Sequence, residues 1–360
     1  MYNIEYPEIV IESKQAFITR QQPLLNQVAE KYGRDPNGLC IKVFFGNPLV
    51  EGQELKDALW GDNPINEGDP RKNTTVFAGS QVQNILWRHG ISPRVYAIFE
   101  GRYNDTRVAC QLTDFVEGSW EDNIQKVYAM QTKVDELGKI YGFASQSKKL
   151  GMKDIVNGKL VDPQLWAFDT KPYADTVRDI YFEKGRYGKI YYQNDEKLGL
   201  HGGPRHSEDR INYMKLHMVQ FQDKVVWDVG CAGGFFLRYA TDRGAKRAIG
   251  FDMEAPIEAA FHVGNLLGYF NIDYVACDLR QPIPDQYIKP DVAFFLSMIY
   301  HIEAPKRLFE ADTLVYEDNG KTTRGLETLT SPWTDHYKNI NFVGRGIDHG
   351  DKACYILNKS

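Results

Sequence analysis

The residues whose types and spacing carry most chemistry run Val225-Val226-Trp227-Asp228-Val229-Gly230-Cys231-Ala232-Gly233-Gly234-Phe235-Phe236. An apolar run reaches an acid, breaks into small residues and re-enters an apolar helical pattern, which predicts a strand, a tight turn and a helix. In an open α/β sheet a ligand lies at the carboxyl end of such a strand, where glycines admit close backbone approach. The helix N-terminus of a dinucleotide site receives a pyrophosphate. Asp228 at the mouth would instead repel phosphate and attract a cation. A second apolar strand, Ala248-Ile249-Gly250-Phe251, ends in Asp252. That is about the spacing at which an acid accepts hydrogen bonds from ribose hydroxyls. Both acids fit a positively charged, ribose-bearing ligand that has no phosphate. Taken singly, these residues also suit plainer roles as turn glycines, a helix-capping Asp228 and a surface Asp252.

Two later landmarks fall in register with the first two. Cys277-Asp278-Leu279 follows the apolar Asp273-Tyr274-Val275-Ala276, and Pro290-Asp291-Val292-Ala293-Phe294-Phe295-Leu296-Ser297-Met298 forms a further apolar strand. On these residues, the chain from about 190 to 360 resembles a class I S-adenosylmethionine-dependent methyltransferase. The first motif of that family reads acidic-x-Gly-x-Gly-x-Gly. Here it is Asp228-x-Gly230-x-Ala232-x-Gly234, with Ala232 replacing the middle glycine and Gly233 beside it. The resemblance implies an α/β fold, a Rossmann-like seven-stranded sheet, and S-adenosyl-L-methionine as cofactor. It places Asp228, Gly230, Cys231, Ala232, Gly234 and Ser297 around the cofactor, with Asp252 and Met253 at its ribose and Asp278 and Leu279 at its adenine. It also implies an arginine ahead of the first strand for the cofactor's carboxylate, because guanidinium forks suit carboxylates. Arg205 and Arg210 are the candidates, and both equally suit solvated charges at a helix entry.

Methyl transfer from a sulfonium is an in-line displacement, so holding the two reactants aligned supplies much of the rate. A hydroxyl acceptor must also lose a proton. Ser297-Met298-Ile299-Tyr300-His301-Ile302-Glu303 follows the fourth strand, where acceptors approach in this fold. His301 is the candidate base, since an imidazole titrates near neutrality, with Tyr300 and Glu303 orienting the acceptor. His301 packing or bonding its own loop is the competing role. Asp348 and His349 reach the cleft rim or serve only as a hairpin turn. The histidines and cysteines show no metal-ligand spacing.

Several elements must position this chemistry. Ser207 is a plausible N-cap of a helix before the first strand. Leu314-Val315-Tyr316-Glu317 reads as a fifth strand ending near the cleft, and 341–344 with 353–357 as a closing antiparallel pair. Ahead of this region, residues 1–120 form a separate α+β domain and 121–189 a helical connector, with periodic apolar residues over 122–145. Strands are expected at 8–11, 39–45, 94–99 and 107–112. A helix from Val76 to His89 ends at Gly90, and a long loop covers 46–72. This order resembles the small lobe of a protein-kinase-like fold, with Lys42 where that fold keeps its phosphate-contacting lysine and 157–162 like the strand pair before its metal-binding aspartate. No glutamate partners Lys42 on the helix, and neither a glycine-rich nucleotide loop nor a His-Arg-Asp loop is present. A degenerate lobe used for binding or dimerisation follows, with no phosphoryl transfer.

The bulk composition sets bounds. The chain has 360 residues, enough for two domains at ~150 each. It is 42% hydrophobic and 25% charged, which describes an ordinary globular protein. No apolar run approaches the ~18 residues of a membrane helix. The N-terminus lacks a signal peptide's basic head, and the five cysteines are scattered, which together predict a cytoplasmic protein with reduced thiols. Net charge of −5 argues against a broad grip on nucleic acid, and 21 tyrosines suit a cleft for sugars or planar groups. The expected function is methylation of a small molecule or glycan, through oxygen, with the N-terminal domain aiding substrate binding or homodimer formation. The alternatives are an RNA methyltransferase of the tRNA wobble-uridine kind, or a non-catalytic binding protein built on the kinase-like lobe.

Overall fold

The computed structural model describes residues 18–44, 76–103, 106–145, 150, 152–161, 166–168, 170–184, 207–299, 301–318, 333–346 and 352–360. The expected first strand at 8–11, the loop at 46–72, Asp162, Arg205, Tyr300 and the turn at 348–351 lie outside them. The chain divides into two compact units. One comprises residues 1–177 with 265–270, the other 178–264 with 271–360.

The first unit contains β1 (Ile18–Thr19), α1 (Gln22–Lys31), β2 (Leu39–Phe44), α2 (Val76–Arg88), β3 (Val95–Tyr103) and β4 (Thr106–Asp114). Its antiparallel sheet has the order β1-β2-β4-β3. Leu25, Val28, Ile41, Val43, Phe99, Cys110 and Leu112 form its core. Helix α2 stops at Gly90, whose φ of 74° is readily adopted only without a Cβ. The buried amides of this helix tie it to the sheet: Gln83 donates to the Pro93 carbonyl and Thr113 Oγ1, and Asn84 exchanges two bonds with Val95. Lys42 is buried, its ammonium donating to the Val161 carbonyl at 3.1 Å.

Helix α3 (Ile124–Tyr141) opens on Asn123, whose side chain accepts from Gln125 N, and closes on Gly142 at φ 75°. Two short pairs follow, β5 (Phe143–Ser145) with β8 (Trp166–Phe168) and β6 (Ile155–Val156) with β7 (Lys159–Leu160). Helix α4 spans Thr170–Lys184.

The second unit contains α5 (Ser207–Tyr213). Ser207 is already inside this helix rather than its N-cap, and its buried hydroxyl makes no hydrogen bond among the described residues. The strands are β9 (Val225–Val229), β10 (Arg247–Asp252), β11 (Ile272–Ala276), β12 (Val292–Leu296), β13 (Thr313–Glu317), β14 (Asn339–Gly346) and β15 (Lys352–Asn358). Helices α6 (Phe235–Asp242) and α7 (Glu254–Leu266) follow β9 and β10, and α8 (Trp333–His336) precedes β14. The sheet order is β11-β10-β9-β12-β13-β15-β14. The first five strands are parallel, and β15 runs antiparallel to both its neighbours, giving the expected closing pair.

Every residue of β9 and β12 is buried, as parallel strands covered on both faces require. Trp227, Phe251, Phe295 and Tyr316 pack on one face, and Val226, Phe236, Phe294 and Ile356 on the other. Each such buried aromatic or aliphatic side chain contributes roughly 1.5–3 kcal/mol. The strand order reverses between β9 and β12, and that switch point opens the crevice in which α/β sheets hold their ligands.

Candidate active site

The turn after β9 is fixed by its own backbone. Gly230 N and Cys231 N both donate to the Phe251 carbonyl, at 2.8 and 3.3 Å, and Gly234 N donates to Cys231 O at 2.8 Å. Gly230 and Gly234 have φ of 85° and 73°, and Ala232 is held at φ 46°. A non-glycine residue there is strained and persists only when its surroundings over-determine it. They do: the Asp252 carboxylate accepts from Ala232 N at 2.9 Å and from Met253 N at 2.8 Å. The acid ending β10 thus staples the turn after β9, and a carboxylate's several lone pairs allow it further partners.

The turn is also closely lined. A Cβ on Gly230 would collide with Met298, and one on Gly233 with the Tyr181 hydroxyl. Arg238 donates to the Gly233 carbonyl at 2.6 Å. Cys231 is buried, and burial holds its thiol well above the ordinary range, which makes it unreactive.

Asp228 is 2% exposed, and its carboxylate makes no hydrogen bond among the described residues. Burial pushes its carboxyl up to about 7, Asp252 adds to the rise, and Arg210 opposes it. A buried acid so placed lacks a positive partner of its own. S-adenosylmethionine fits on both counts, with cationic groups for Asp228 and a small-residue cradle for close backbone approach.

Elsewhere the predicted residues are distributed unevenly. Leu279 packs into the core and Met253 is exposed. Asp278 is exposed and gripped by Arg280 through both oxygens at 2.8 Å, and these bonds hold its carboxyl below the usual range. His301 and Glu303 are exposed on the loop after β12. The backbone N–H of His301 donates to Met298 O.

Ser297 and Arg210 meet in a cluster that the sequence hinted at only through Glu317. Fully buried at the end of β13, Glu317 accepts from Arg210 at 2.8 Å, from the Tyr213 hydroxyl at 2.9 Å and from Ser297 Oγ. Lys352 Nζ in turn donates to Ser297 Oγ at 2.8 Å. Ser297 is itself at φ 61°, its N–H bound to the Glu317 carbonyl. Arg210 also lies over the Phe236 ring, 4.8 Å from its centroid. Tyr213, Arg238 and Lys352 escaped the sequence reading. The one available signal was that Lys352 heads the last apolar run.

Known proteins similar to this chain include methyltransferases. The family described as a methyltransferase domain matches residues 227–322. A tRNA U34 carboxymethyltransferase of Campylobacter lari is 31% identical over 143 residues, covering 37% of this chain and 49% of that protein. Protein arginine N-methyltransferase 1 of Saccharomyces cerevisiae is 32% identical over 100 residues, covering 26% and 29%. The chain therefore spans about half or less of the length of these curated relatives. A solved S-adenosylmethionine-dependent methyltransferase from Aquifex aeolicus superposes with a TM-score of 0.32 at 20% identity, over 41% of this chain and 90% of that one. Residues 227–322, within the second unit, thus match a methyltransferase domain.

Proposed function

We propose that the protein transfers a methyl group from S-adenosylmethionine to an oxygen of a nucleobase in transfer RNA. The transfer half rests on one observation: Asp252 locks a strained turn beside Asp228, a buried acid whose carboxylate makes no hydrogen bond among the described residues. When bound, the cofactor supplies an electrophilic methyl carbon on a sulfonium. The chain's own contribution is to hold that group at the switch point and to align the acceptor on the β12 side. His301, exposed on the loop after β12, takes the acceptor's proton in this reading.

The RNA half is supported by the relatives whose names carry tRNA U34 chemistry, at 28–31% identity over part of this chain. A second reading, a small-molecule or glycan acceptor, is favoured by the net charge of −5. In either reading the first unit serves substrate binding or oligomerisation, and the protein works in the cytoplasm.

The test is transfer of a tritiated methyl group from S-adenosylmethionine to cell extract separated into tRNA, protein, glycan and small-molecule fractions. Label recovered in a nucleoside after tRNA digestion is the expected result. Label in small molecules alone would move the acceptor to the second reading. Cofactor binding without transfer to any fraction would refute the catalytic one.

A further inference from the structure

Lys352 stands apart from the other buried charges of the second unit. Its side chain is 3% exposed, at the first position of β15. Because β15 runs antiparallel to β13, that position lies at the carboxyl end of the parallel strands, beside Ser297 and across the switch point from Asp252. An ammonium carries three N–H donors. Among the described residues its one hydrogen-bond acceptor is Ser297 Oγ at 2.8 Å. The nearest carboxylate oxygen, Glu317 Oε2, is 3.9 Å away, beyond hydrogen-bond reach. Glu317 is already committed to Arg210, Tyr213 and Ser297. The adjacent Asp318 carboxylate accepts from the Ala353 N–H. A buried cation with donors left over is unfavourable unless an acceptor arrives.

We propose that Lys352 is a substrate-recognition residue that receives an anionic oxygen of the methyl acceptor, the nucleophile itself. This rests on the methyl-transfer reading but not on the acceptor being RNA. The site lies in the β12–β13–β15 half of the crevice, whereas the ribose acid belongs to β10, so the oxygen comes from the acceptor and not from the cofactor's nucleoside. The acceptor hydroxyl releases its proton to His301. Its oxygen lone pair then forms the bond to the methyl carbon as the carbon–sulfur pair departs with sulfur. Lys352 stabilises the oxyanion before attack and stays protonated throughout. Ser297, fixed by Glu317, positions the ammonium.

The test compares Lys352→Gln, which keeps a donor for Ser297 but not the charge, with Lys352→Arg, on whichever fraction the wild type labels. Two readouts are taken, calorimetric affinity for S-adenosylmethionine and the pH dependence of kcat/KM. The expected result is cofactor affinity within about twofold of wild type for both variants. For Lys352→Gln, kcat/KM should fall by about 10²-fold, with the acidic limb of its profile displaced to higher pH as the acceptor becomes harder to ionise. Lys352→Arg should recover most of that loss. An unchanged kcat/KM would overturn the proposal. So would loss of cofactor binding in Lys352→Gln, because the residue would then serve the cofactor or the fold. If the wild type labels small molecules and not tRNA, the RNA reading fails while this test proceeds on that fraction.

Discussion

Asp228 illustrates how much one buried carboxyl can dictate. Its folded-state value of about 7 lies above the ordinary 3.8, chiefly because burial penalises the charge. Between those values the folded chain keeps a proton that the unfolded chain has released, so this group lowers stability as pH rises through the window. A bound cation reverses the preference by favouring the ionised form. Cofactor affinity should therefore fall by roughly tenfold from pH 7.5 to pH 6, a change set by the fraction of Asp228 ionised. Calorimetry at the two pH values checks this, and Asp228→Asn should flatten the dependence. A wild-type affinity that is level across the range would show that the carboxyl does not meet the cation. The two acids were legible in the sequence because each ends an apolar strand, a wholly local pattern. Lys352 and Tyr213 were not, since their meaning comes from partners 55 and 104 positions away.

Among the elements, Glu317 joins several pieces: α5 through Arg210 and Tyr213, the end of β12 through Ser297, and, through that serine, β15. Removing one partner of a buried ion pair leaves the others uncompensated, at a cost of about 3–5 kcal/mol. Glu317→Ala should lose stability on that scale in urea denaturation, and a loss under about 1 kcal/mol would mean that the cluster is not a structural tie. The second unit's strands were legible because buried parallel strands are short apolar runs bounded by turn residues. Helix α1 was not anticipated. It starts with Pro23 in its first turn and buries Leu24, Leu25, Val28 and Ala29, a short pattern that is easily overlooked. Helix α3 was expected, and only part of its apolar periodicity faces inward. Val127, Val134 and Tyr141 are inside, while Ile124, Tyr128 and Ile140 remain exposed.

For the molecule as a whole, the net charge of −5 bears directly on an RNA acceptor. Recognition would rest on a few local contacts, not a broad electrostatic footprint. Affinity for tRNA should then fall by only about tenfold between 50 and 200 mM salt, as about two phosphate contacts give. A fall of 10³-fold or more, measured by filter binding, would reveal a basic surface that the composition conceals. Everything proposed for the second unit depends on its turn holding S-adenosylmethionine through Asp252. The most direct measurement is calorimetric titration of S-adenosylmethionine into the full chain and into Asp252→Ala. Losing the hydrogen bonds of Asp252 at ~1 kcal/mol each predicts binding at least tenfold weaker in the variant. Equal affinities in the two proteins, or no binding by the wild type, would contradict the assignment of this site.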